Sequence, residues 1–137
     1  FGSGLFAHCQ IPCGIYDDQR QFKALYEDVE TIKKAVSEIE AYDTEELHDQ
    51  HQFIRWTMNK ETHASSIQSV MTDYFLAQRI KSVPSSDVED YTRYLLLLET
   101  AHHVIRSAMK AKQTPTEAAC STLLQAIKRF ETVFIGH

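Results

Sequence analysis

The stretch FKALYEDVETIKKAVSEI, Phe22–Ile39, decides the fold. Its apolar residues Phe22, Leu25, Val29, Ile32, Val36 and Ile39 recur in steps of three and four. A helix of about 3.6 residues per turn gathers such positions into one stripe and leaves the lysines and glutamates on the other faces. A strand would need alternation in steps of two, which is missing here. Asp17 or Asp18 supplies the cap, since a short carboxylate accepts hydrogen bonds from the free amides of the first turn. The spacing therefore predicts a helix from about Asp18 to Tyr42.

Outward from this helix the chain repeats the same logic. The prolines, Pro12, Pro84 and Pro115, and the glycines, Gly2, Gly4, Gly14 and Gly136, all lie between or beyond the long periodic stretches. A second helix is expected from near Asp43, where Asp43 and Glu46 have capping-box spacing. It runs through Trp56, Ile67, Val70 and Tyr74 to about Lys81, with NKETHASS (Asn59–Ser66) as the place where it would break. A third starts at Ser86 and Glu89, with a stripe of Val88, Tyr91, Leu95, Leu98, His102, Ile105 and Met109. Leu96 and Leu97 widen that stripe beyond one core face, which suits a subunit contact or a generous core. TPTE announces the fourth: Thr114 caps, Pro115 stands where its missing N–H costs nothing, and Glu117 closes the box. Cys120, Leu123, Ile127, Phe130 and Phe134 follow on one face. The expected fold is all-α, an antiparallel up-down-up-down four-helix bundle with an irregular N-terminal arm.

Composition narrows the function classes. The 137 residues suit one domain with a sizeable core. The formal net charge is -5, with acids and bases interspersed, so no basic stripe exists to displace counterions from nucleic acid. No apolar run approaches the ~20 residues of a membrane helix. Three cysteines, an odd number, do not make a disulfide framework and point to a reducing, cytoplasmic setting.

The bundle accounts for almost every apolar residue but not for AHCQIPCGIYDD (Ala7–Asp18). Here His8, Cys9 and Cys13 gather ahead of the first cap, and Pro12 with Gly14 can fold the chain into a tight hook. Two thiolates and one imidazole fall one ligand short of a closed zinc site. Backbone nitrogen can supply the rest. A histidine at a chain start offers its α-amine and imidazole, and the following cysteine its amide nitrogen and sulfur. Two nitrogens and two sulfurs in a plane suit nickel(II) or copper(II), not tetrahedral zinc.

His8-Cys9-x-x-Pro12-Cys13-Gly14-x-Tyr16 resembles the nickel hook of nickel-containing superoxide dismutases. The likeness extends to the four-helix pattern and to DYF at Asp73–Phe75. It implies disproportionation of superoxide to dioxygen and hydrogen peroxide, an antioxidant activity, with nickel cycling between +2 and +3. By the same resemblance His8, Cys9 and Cys13 are the metal ligands, with His8 giving its α-amine and an axial imidazole. Pro12 sets the turn through a cis peptide, and Tyr16 stands with His8 as a catalytic group, holding a water or small anion at the mouth. The implied assembly is a homohexamer. The domain division is then residues 1–7 as a leader or tag remnant, 8–16 as the hook arm and 17–137 as the bundle.

Some members have proline where this chain has Asp18 and an acid where it has Gln10. The glutamate–arginine pair that braces the axial histidine in some members falls on Ala24 and Asn59. The family frees its histidine amine by removing a leader, whereas FGSGLFA still precedes His8. An acylated nitrogen donates to metal only after a costly deprotonation. With residues 1–7 attached, the nickel site is expected to be empty or miscoordinated, and a leader-removing protease is an implied partner. A competing reading from another class is a thiol redox or metal-carrier protein that uses Cys9 and Cys13 as a reversible pair. It would need no free amine. A third is a helical interaction module with an incidental arm. For the remaining groups, Cys120 is expected to be core, His102 buried and hydrogen-bonded, and His48 and His51 solvated surface. Arg20, Lys23 and Lys60 are the candidate cations for drawing an anion to the hook.

Overall fold

A computed structural model describes residues 14–42 and 45–136. The hook ligands His8, Cys9 and Cys13, the proline Pro12 and the capping candidate Asp43 lie outside the described residues.

Four helical rods form: α1 (Asp18–Ala41), α2 (Leu47–Ser69) continued without a break by a π-helical segment (Val70–Arg79), α3 (Val88–Gln113) and α4 (Glu117–Ile135). Each rod packs chiefly on two others, α1 on α2 and α4, and α3 on α2 and α4, which closes a four-sided bundle. Cross-helix contacts fix the antiparallel order. Asp28 meets His63 and Asp18 meets Tyr74 between α1 and α2. Gln68 donates to the Ile105 carbonyl between α2 and α3. Phe22 stacks on Phe130 between α1 and α4.

α1 forms where its pattern predicts. All six stripe residues are buried, and Asp17 caps the helix by accepting from the Arg20 amide at 3.0 Å. The caps of the other helices shift. α2 starts at Leu47, later than expected, and Glu46 at its cap makes no side-chain cap bond. Asp87 rather than Ser86 caps α3, accepting from the Asp90 amide, and Thr116 rather than Thr114 caps α4, accepting from Ala119. Thr114 ends α3 instead. Each link offers several short polar side chains, and the sequence does not say which one the helix end reaches.

The core face of α3 is the larger correction. Its buried residues are Leu97, Thr100, Ala101, Val104, Ser107, Ala108 and Ala111. The predicted stripe is rotated by one residue, so Val88, Leu95 and Met109 are exposed, and so is His102, which was expected to be buried. Small residues let the neighbouring helices approach α3 closely, because interhelical distance follows side-chain size at the contact. The bulkier leucines were the misleading signal. On α4, Cys120, Leu123, Ile127 and Phe130 are buried as expected, with Phe134 half-buried.

Lys60 is 3% exposed, and its ammonium donates to the Ala111 carbonyl at 3.0 Å, to the Lys112 carbonyl and to Glu61 at 2.8 Å. It thus closes the C-terminal end of α3, where unpaired carbonyls and the negative end of the helix dipole favour a cation.

Candidate functional site

Tyr16 is the one hook-motif residue with a predicted chemical role that falls within the described residues, and it rests on the end of the bundle where α1 begins. Gly14, two residues earlier, has φ 76°, the left-handed region that lets the chain turn sharply there. The Tyr16 ring meets the Tyr74 ring edge-on, with centroids 5.9 Å apart at 84°. The Arg79 guanidinium carbon lies 4.8 Å from the Tyr16 centroid and 5.8 Å from that of Phe134.

Asp18 ties this group together. Its carboxylate accepts from Arg79 Nε at 2.8 Å, from Arg79 Nη2 at 2.7 Å and from the Tyr74 hydroxyl at 2.7 Å. The paired Arg79 hydrogen bonds hold the Asp18 carboxyl below its ordinary value, even though burial opposes them. Burial, and then the Asp18 hydrogen bond, push the Tyr74 phenol well up, so Tyr74 stays a neutral donor. Asp18 in turn raises the Arg79 guanidinium, which stays charged.

The π segment makes this arrangement possible. Tyr74 and Arg79 are five residues apart, and on an α-helix they would point about 140° away from each other. The wider turn of a π-helix, with its i→i+5 hydrogen bonds, brings i and i+5 much closer to one face. The Ile80 amide donates to the Phe75 carbonyl at 2.8 Å, a bond of that type. The segment thus aims both side chains at one carboxylate. Phe75, between them, points inward and is fully buried, its ring centroid 5.0 Å from those of Phe22 and Phe130 and 5.1 Å from that of Phe134. Of the two DYF aromatics, Phe75 is therefore core, and Tyr74 is both buried and part of the surface under Tyr16.

A cleft of about 430 Å³ opens beside this group, lined by Asp18, Arg79, Arg93 and Phe134 among others. Of the cations proposed from sequence, Arg20 is exposed in the first turn of α1, and the other two are engaged. Lys60 is buried at the α3 C-terminus, which removes it as a candidate, and Lys23 pairs with Glu27 at 3.7 Å. Arg79, which the sequence reading passed over, is the cation beside Tyr16. Its signal was the DYF motif five residues upstream, joined to Asp18, whose departure from proline looked peripheral.

Elsewhere, Ala24 and Asn59 do not meet within the chain. The α1–α2 register sets Ala24 against the turns between His63 and Tyr74, about two turns from Asn59. The buried Oδ1 of Asn59 has no hydrogen-bond partner. Asp28 and His63 form a cross-helix pair at 2.6 Å that the sequence reading missed, although Asp28 stands between the core residues Leu25 and Val29. His48 and His51 are exposed, as expected. Burial pushes the Cys120 thiol up, which suits an inert core residue. Among the described residues, no three His, Cys, Asp or Glu side chains come together to hold a metal ion. The donor set with the chemistry for nickel is that of His8, Cys9 and Cys13: two thiolates, an imidazole and backbone nitrogen.

The family model for nickel-containing superoxide dismutase matches residues 4–137. No curated protein and no solved structure matches the chain.

Proposed function

The chain belongs to the nickel-containing superoxide dismutase family, whose members are oxidoreductases that dismutate superoxide with a nickel cofactor, and from that premise we propose that His8, Cys9 and Cys13 form its metal site and Tyr16 guards it. The observation that carries this reading is the family match over residues 4–137, joined to an intact hook motif within it.

In the reaction one superoxide gives up an electron and leaves as dioxygen. A second takes that electron and two protons and leaves as hydrogen peroxide. Nickel, when bound, supplies the reversible one-electron exchange between its +2 and +3 states. The protein residues do the rest. Cys9 and Cys13 present thiolates, whose anionic donation favours the oxidised metal, and His8 presents its α-amine and imidazole. Tyr16 orients a water or small anion through its hydroxyl, with Tyr74 and Arg79 against its ring.

The amine requirement makes residues 1–7 a leader whose removal by a protease activates the site. Residues 4–7 fall inside the family match, which favours a natural leader over an added tag. Thiolates that must stay reduced favour a cytoplasmic location. The exposed apolar side chains of α2 and α3 favour the homohexamer.

The test is to remove residues 1–7, add nickel and follow superoxide decay. The trimmed chain should be active, and Cys9→Ser or Cys13→Ser should abolish activity together with the rhombic nickel(III) signal. An inactive trimmed, nickel-loaded chain overturns the proposal. Equal nickel affinity and activity in trimmed and untrimmed chains would overturn the leader argument alone.

A further inference from the structure

We infer that Arg79 is a positioning residue for Tyr16, fixing the end of the hook arm against the π segment. The inference rests on the proposed superoxide dismutation. Three observations carry it. The guanidinium lies 4.8 Å from the Tyr16 centroid while Tyr74 meets the same ring at its edge, so two groups confine the ring. Arg79 is itself held, because two of its nitrogens donate to the two oxygens of Asp18 and its guanidinium also approaches Phe134. Asp18 is in turn the first residue of α1, so the clamp is anchored to the bundle and not to the arm.

Charge balance separates positioning from anion capture. Asp18 neutralises Arg79 and Asp17 stands exposed next to it, while the adjoining cleft holds Arg93 and Lys81 with Asp90. The charge of Arg79 is thus engaged by a carboxylate and not free to draw superoxide in. What Arg79 contributes is a flat, doubly tethered surface for an aromatic ring. Lysine cannot reproduce it, since its ammonium has neither the planar face nor the two-pronged donor geometry. With Gly14 turning the chain two residues before Tyr16, a fixed ring also fixes how residues 14–16 lie on the bundle.

Chymotrypsin cleavage after Tyr16 tests this on the untrimmed, metal-free chain, read by the mass of the released fragment. Arg79→Gln and Asp18→Asn should each speed that cleavage about three- to fivefold, the factor expected from losing a stacked guanidinium. Arg79→Lys should fall between them and the parent chain. Cleavage of Arg79→Gln at the parent rate overturns the inference, and so does equal acceleration after Tyr91 in α3, which would mean general loosening.

A second arm uses the trimmed, nickel-loaded enzyme. Arg79→Gln should lower kcat/KM severalfold when Tyr16 is present and add nothing in a Tyr16→Ala background, with the salt dependence of the rate unchanged. Equal losses in both backgrounds overturn the inference. An inactive trimmed parent chain defeats the proposed function instead, and the cleavage arm still decides what Arg79 does.

Discussion

At the scale of single residues, the Asp18 carboxylate accepts three hydrogen bonds, from two residues of the π segment. Arg79 lowers its pKa in the folded state, so folding favours the ionised form. The resulting stability is present above the ordinary carboxylate value of 3.8 and is lost as the pH falls through the lower folded value. Asp18→Asn should therefore melt below the parent chain by a constant margin from pH 5 to 8, and the margin should shrink below about pH 4. Thermal scans by circular dichroism across that range check it, and a margin that grows on acidification would refute it. The partnership was hidden from the sequence for a geometric reason. Tyr74 and Arg79 share a partner only because the helix widens at Val70, and nothing in VMTDYFLAQR breaks the ordinary helical pattern.

At the scale of elements, α1 and α4 were legible because their large apolar residues and their buried residues coincide. α3 was not, because Ala101, Ala108 and Ala111 carry no hydrophobic weight in a pattern that also offers Leu95, Leu96 and Leu98. What decides the orientation of α3 is how near its neighbours come, a property of the whole bundle. Ala108→Leu should then overpack the interface and cost about 1–3 kcal/mol in urea denaturation. Leu95→Ala, on the exposed face, should cost the isolated subunit little. Lys60 belongs to the same scale, since it serves a helix other than its own. Lys60→Ala strands the Ala111 and Lys112 carbonyls and should cost about 2 kcal/mol by the same measurement, with loss of amide-exchange protection concentrated at the end of α3.

At the scale of the molecule, the apolar side chains that the core leaves out lie mainly on α2 and α3. Leu47, Ile54 and Met58 are exposed on one, and Val88 at 72%, Leu95 at 47% and Leu96 at 37% on the other. That distribution supports the expected assembly. Leu95→Glu combined with Leu96→Glu should reduce the species seen by size exclusion with light scattering while leaving the helical content unchanged. A trimmed parent chain that is monomeric would end the hexamer proposal.

The anchoring of the first helix has a further consequence, one of timing. Among the described residues the core begins at Phe22, and the start of α1 is settled by Asp17 capping the helix and Asp18 binding Arg79. Both fastenings are made by residues downstream of the proposed metal ligands. The bundle's fastenings are thus separate from the proposed metal ligands, so the proposed trimming and loading of the arm act on a body already built.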